Sequence, residues 1–175
     1  MTRAIILYST TDGHTIEITK RIRTLLEDAN QVVTLMPIGS VAEADMEAAD
    51  KVLIGASIRY GKHKKEVFDF VARNLHLLEQ KPSAFFTVNA VARKSNKNTP
   101  DTNPYLRKFL AQVNWRPDLL GVFAGKIDYQ KYGFLDKTMI RFIMYMTKGP
   151  TDPKSATDFT DWDRVEEFGR LFSDL

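Results

Sequence analysis

Short unbroken apolar runs alternate along this chain with stretches in which apolar residues recur every three or four positions. Arg3-Ala-Ile-Ile-Leu-Tyr8, Gln31-Val-Val-Thr-Leu-Met36, Lys51-Val-Leu-Ile-Gly-Ala56, Pro82-Ser-Ala-Phe-Phe-Thr-Val-Asn89 and Pro117-Asp-Leu-Leu-Gly-Val-Phe-Ala-Gly125 are runs of the first kind. Such runs, broken by proline, glycine and polar residues, predict strands buried on both faces of a parallel sheet. Ile16, Ile18, Ile22, Leu25 and Leu26 follow the first strand at roughly helical spacing, with charges between them. Val67, Phe68, Val71, Leu75 and Leu78 predict one helix over 64–78. A short acidic helix is expected near Glu43 to Ala49, another over Tyr105 to Val113, and a closing one over Thr160 to Leu175, capped near Thr160 or Asp161. Five strands alternating with helices define an α/β fold with a parallel sheet covered on both faces.

In such sheets the ligand sits beyond the carboxyl ends of the strands, at the point where strand order reverses. Three loops there carry chemistry: Ser9–Thr15, Ser57–Gly61 and Asn89–Lys94. Ser9-Thr10-Thr11-Asp12-Gly13-His14-Thr15 joins a strand to a helix start. Backbone N–H groups and the helix dipole favour an anion at that place, and four hydroxyls can donate besides. A plain N-cap uses the same residue types, so the loop alone leaves both readings open. It is neither a Walker loop nor G-x-G-x-x-G. One phosphate loop after the first strand, with further loops after the third and fourth, resembles the layout of a flavodoxin-like FMN site, and a flavin is the expectation drawn from that resemblance.

At 175 residues the length is that of one domain, 1–175. The absence of cysteine removes disulfides, thiol catalysis and Cys-ligated metal, and three scattered histidines without H-E-x-x-H argue against a metal site. No leader pattern opens the chain and no apolar run reaches the roughly 20 residues of a membrane span, so a cytoplasmic protein is expected. Positive charge is local. Residues 91–117 hold six basic side chains against Asp101, and residues 126–149 hold five against Asp128 and Asp136, while the remainder is net acidic. An anionic partner at those places follows, whether nucleic acid, membrane surface or a carboxylate-bearing substrate. The loop 91–104 is long enough to expect function from it.

The stretch Lys131 to Met146, inside an insertion over 126–150, is amphipathic. Leu135, Met139, Phe142, Ile143 and Met146 share a helical face, with Lys137, Arg141 and Lys148 along another. It suits an interfacial membrane contact or a core helix.

Ser9 to Thr15, Gly55-Ala-Ser-Ile-Arg-Tyr-Gly61, Val88-Asn-Ala-Val-Ala-Arg93, Thr99 to Pro104, Trp115-Arg-Pro-Asp118 and Thr160-Asp-Trp162 occur in that order. This set resembles the flavodoxin-like, menaquinone-dependent protoporphyrinogen IX dehydrogenase family of the bacterial haem pathway, from the first strand to the last helix. The resemblance implies a flavodoxin-like fold, an FMN cofactor, oxidation of protoporphyrinogen IX to protoporphyrin IX by removal of six electrons, and menaquinone or another quinone as acceptor. It implies FMN contacts from Ser9 to Thr15, from Ser57, Ile58, Arg59, Tyr60 and Gly61, and from Asn89, Ala90, Val91, Ala92 and Arg93. Arg93, Lys94 and Lys97 are expected to hold the substrate's propionates, and Arg59 is either a further partner of a substrate carboxylate or simply solvated. It favours the membrane reading for Lys137, Arg141, Phe142 and Lys148, with the protein peripheral on the inner face of the cell membrane. The first loop departs from the usual flavodoxin pattern in placing Asp12 before Gly13, a carboxylate that repels phosphate unless it points away or caps the helix. No acid–base pair stands out, and no catalytic base is assigned. The alternatives are a flavodoxin-type electron carrier, against which the basic clusters and the insertion speak, and an NAD(P)H:quinone reductase. A nucleic-acid module lacks aromatics among its basic residues and is set aside. A homo-oligomer is compatible with the sequence.

Overall fold

The computed structural model describes all residues, 1–175. Its centre is a parallel sheet of β1 (Arg3–Ser9), β2 (Val32–Pro37), β3 (Lys51–Ser57), β4 (Ser83–Asn89) and β5 (Leu119–Ala124), in spatial order β2-β1-β3-β4-β5. The order reverses beside β1, which places the crevice above the ends of β1, β3 and β4. Alternation along each strand divides the core. Ile5, Leu7, Ile54 and Phe85 face α3 (Lys65–Arg73), α4 (Leu75–Gln80) and α5 (Pro104–Gln112) through Val67, Phe70, Leu78 and Phe109. Ala4, Ile6, Leu53 and Phe86 face α1 (His14–Asp28) and α7 (Trp162–Asp174) through Ile18, Ile22, Phe168 and Phe172. The short acidic helix is α2 (Glu43–Ala48).

The helix expected over 64–78 is two, because the chain breaks at Asn74 (φ −108°, ψ 14°), whose side-chain amide donates to the Phe70 carbonyl at 2.9 Å. That bond offers the backbone an alternative to the helical ladder. The region 91–104 is shaped by two 3₁₀ turns, Ala90–Arg93 and Ser95–Lys97, and by Asn103, which caps α5 through the Tyr105 and Leu106 amides. The insertion is longer than 126–150. Its strand β6 (Lys126–Asp128) pairs antiparallel with β7 (Ala156–Asp158), so it closes only at Asp158, with α6 (Phe134–Met146) between.

Two of the family-like motifs serve the fold. Trp115 is fully buried and its indole N–H donates to Ser83 Oγ at 3.1 Å, while Asp118 accepts from the Ser83 amide at 2.8 Å, fixing the start of β4. Thr160 donates to the Ala124 carbonyl at 2.9 Å and meets His14 Nε2 at 2.6 Å, docking the end of the insertion on α1.

Candidate functional site

A cleft opens above the carboxyl ends of β1, β3 and β4, and α6 forms its far wall. Thr10, Thr11, Asp12, His14 and Thr15 line it from the first loop, Ser57 to Gly61 from the third strand, and Asn89, Ala90 and Val91 from the fourth. The three loops expected to converge do so. Ser9, Gly13, Ala92 and Arg93 stand outside the lining, as do Lys94 and Lys97.

The first loop is built for an anion. Gly13 is the N-cap of α1 at φ +87°, a conformation costly for any residue with a Cβ, and no side chain caps the helix. Its hydroxyls are therefore not consumed in capping N2 or N3, which removes the plain N-cap alternative. Thr10 Oγ1 accepts from the Gly13 amide at 3.0 Å and tightens the turn, and Lys64 Nζ holds the Thr10 carbonyl at 2.6 Å. Thr15 Oγ1 is buried with no hydrogen-bond partner, and so is Ser57 Oγ. Two orphaned hydroxyls in one cleft wall, beside an uncapped helix start, fit the phosphate end of FMN. Ser9 is spent elsewhere, donating to Glu66 Oε1 at 2.7 Å.

Asp12 points away from the helix start and pairs with Arg59, which disposes of the repulsion its position suggested. The Arg59 guanidinium lies 5.9 Å from the Tyr60 ring centroid and 5.1 Å from that of Tyr132. Burial holds the Tyr132 phenol above its ordinary range, and the Asp12 carboxylate adds to the effect. Tyr60, at φ 52°, is held in the left-handed region and turns its ring to the cleft mouth, where its hydroxyl donates to Asp136 of α6.

Beneath the fourth-strand loop, Asn89 Oδ1 accepts from the Ala92 amide at 3.1 Å and from Asn103 Nδ2 at 3.1 Å. Arg93 is turned from the cleft for a clear reason. It donates to the Ala90 carbonyl at 2.8 Å and to the Thr147 carbonyl and hydroxyl at 3.0 and 2.8 Å, and burial lowers its pKa. It ties the loop to the end of α6.

The remaining wall includes Tyr105, Ile127, Tyr132, Ile140, Ile143 and Met144, side chains that local pattern did not single out for the site. The amphipathic periodicity of 131–146 was the available signal, and the structure divides it. Met144 is buried and Ile140 half-buried toward the cleft, Ile143 lines the cleft edge while still 37% exposed, and Leu135, Met139, Phe142 and Met146 are exposed. Arg141 is exposed and donates to the Thr151 carbonyl at 2.8 Å, Lys137 is half-buried, and Lys148 lies exposed just past the helix at φ 57°.

A doubly wound sheet with a hydroxyl-lined helix start at its crevice defines the flavodoxin class of FMN proteins. The flavodoxin domain family matches residues 5–154. A solution structure of two-electron reduced Megasphaera elsdenii flavodoxin shares the fold at TM-score 0.63 and 12% identity, over 98% of this chain and 99% of that one. Similarity in sequence is much higher to protoporphyrinogen IX dehydrogenase [quinone] of Escherichia coli K12, 40% over 99% of this chain and 96% of that protein. The Leishmania major protein of the same name is 45% identical over 99% of this chain and 75% of its own length. The chain belongs to the quinone-type protoporphyrinogen IX dehydrogenases of the flavodoxin-like family.

Proposed function

We propose that this protein is an FMN-dependent dehydrogenase that oxidises protoporphyrinogen IX to protoporphyrin IX with a quinone as acceptor. The observation that carries the reading is the apolar wall that Ile140, Ile143 and Met144 of α6 add to the cleft. A redox carrier docking on other proteins has no need of such a wall, whereas a hydrophobic macrocycle and a quinone both do.

Bound FMN supplies the two-electron redox chemistry. Thr10, Thr11, Thr15 and the Ser57 hydroxyl, with the start of α1, would hold its phosphate, and Ile58 to Gly61 and Asn89 to Val91 its ring system. Tyr60, Tyr105 and Tyr132 offer aromatic faces. Arg59 would supply a cation of the cleft wall for a propionate. Six electrons leave the macrocycle, so one cleft serves three successive oxidations and admits the acceptor between them.

Menaquinone is the acceptor this reading favours, and the inner face of the cell membrane the place. Support comes from the outer face of α6, where Phe134 and Tyr145 are 84% and 77% exposed beside Arg141 and Lys148. No helix is long and apolar enough to cross a membrane, so the contact would be peripheral.

The test is anaerobic turnover of the FMN-loaded protein on protoporphyrinogen IX, read as porphyrin fluorescence. Menadione should sustain it. Turnover of NADPH with quinone, without porphyrin formation, would overturn the reading in favour of a quinone reductase.

A further inference from the structure

Arg59 has an unfinished hydrogen-bonding account. Its side chain is 17% exposed, lies between two aromatic rings in the cleft wall, and gives Nη2 to Asp12. Nη1 is buried and makes no hydrogen bond. The only other carboxylate beside it, Asp136, stands off at 3.7 Å and is 45% exposed. Asp136 instead accepts from the Tyr60 hydroxyl. An exposed carboxylate at that distance is weakly held, whereas a buried guanidinium donor without a partner favours any anion that reaches it closely. Asp136 lies in the first turn of α6, the helix whose inner side lines the cleft, so its two contacts also fasten that helix over the mouth.

We propose that Arg59 and Tyr60 form a carboxylate subsite of the cleft in which Asp136 is a place-holder, displaced when a carboxylate of the substrate binds. Asp12 stays with Arg59 throughout and keeps the guanidinium in place. The exchange couples recognition to access, because the carboxylate that takes over Nη1 also frees α6 from the third-strand loop. A substrate without a carboxylate enters without this exchange, and quinones belong to that group. The inference rests on the tetrapyrrole reading and adds the residue, Asp136, that the substrate's acidic side chain displaces.

The probes are protoporphyrin IX and its dimethyl ester, with menadione as the ligand lacking a carboxylate. Binding is followed by quenching of flavin fluorescence in FMN-loaded protein. Asp136→Asn should bind the free acid roughly three- to tenfold more tightly than the unaltered protein, leaving ester and menadione unchanged. Arg59→Lys, which retains the charge beside Asp12, should remove most of the preference for acid over ester, and Asp136→Asn added to it should then have little effect. Amide exchange over 134–140 should accelerate in Asp136→Asn, and in the unaltered protein when the free acid is added. If acid and ester bind equally in all variants, the subsite is overturned while the tetrapyrrole reading stands. If neither binds to any of them although FMN is retained, the tetrapyrrole reading falls and takes the subsite's occupant with it.

Discussion

Thr15 is fully buried and its hydroxyl has no partner, so in the absence of a ligand it weakens the protein it belongs to. Thr15→Val should raise the stability of the flavin-free protein by about 1 kcal/mol, measured by urea unfolding. It should lower FMN affinity by roughly ten- to a hundredfold, the worth of a hydrogen bond to a charged acceptor, and leave riboflavin binding nearly untouched. Equal losses for both flavins would take Thr15 out of the phosphate site. His63 gives a second test at this scale. Burial between Phe85 and Phe109 pushes its imidazole down to about 4, well below the ordinary value near 6.5. The folded protein refuses a proton that the unfolded chain accepts between those values, so stability is full above about pH 6.5 and falls toward pH 4. This one group should remove about 2 kcal/mol between pH 7 and pH 5, and His63→Asn should flatten that part of the pH profile. The first loop was legible in the sequence as part of the cleft because strand, hydroxyls and helix start are contiguous. Tyr105, Tyr132 and Met144 were not, because each reaches the cleft from an element whose placement depends on the whole sheet. Arg93 was legible as a basic residue in a functional loop. Its neighbour Thr147, 54 positions away, is what commits it to the end of α6.

Among the elements, β1, β3 and β4 could be read directly, since strands buried on both faces have no polar alternation to confuse them. The break between α3 and α4 could not, because Val71, Leu75 and Leu78 keep helical spacing straight across Asn74. β6 and β7 have three residues each, too few for any periodicity, and exist only because the two ends of the insertion meet. For α6 the sequence showed an amphipathic helix and left open which side would be covered. The structure buries part of each reading, with Ile140 and Met144 inward and Leu135 and Met146 outward. The element is fastened at its start by Tyr60 and Arg59 to Asp136, and at its end by Arg93 to Thr147. Arg93→Ala removes the second fastening and its three hydrogen bonds, so a loss of about 1–3 kcal/mol is expected. Amide exchange should quicken at 143–149 and scarcely change in β3. FMN should remain bound, because the side chain never reaches the cleft.

At the scale of the molecule, positive charge is concentrated in residues 91–117 and 126–149, and the remainder is net acidic. If α6 lies on an anionic bilayer, Lys137→Glu, Arg141→Glu and Lys148→Glu together should release the protein from phosphatidylglycerol vesicles, each charge contributing on the order of 1 kcal/mol. Activity with a soluble quinone should survive. Retention on the vesicles would exclude the electrostatic contact, and a shift from dimer to monomer in light scattering would assign the face to a second copy. The insertion itself has one more property. Its two feet, β6 and β7, are paired, and directly outside them the Phe159 amide donates to the Gly125 carbonyl at 3.2 Å. The chain therefore leaves the core and returns to it at a single point, as a branch grafted on a trunk leaves the trunk's own grain unbroken. Grafts of that kind can be pruned. A chain in which a two-glycine link replaces residues 126–158 should still fold and still hold FMN by its phosphate, since short loop closure costs little. What would remain is the flavodoxin-like core, open where α6 now walls the cleft.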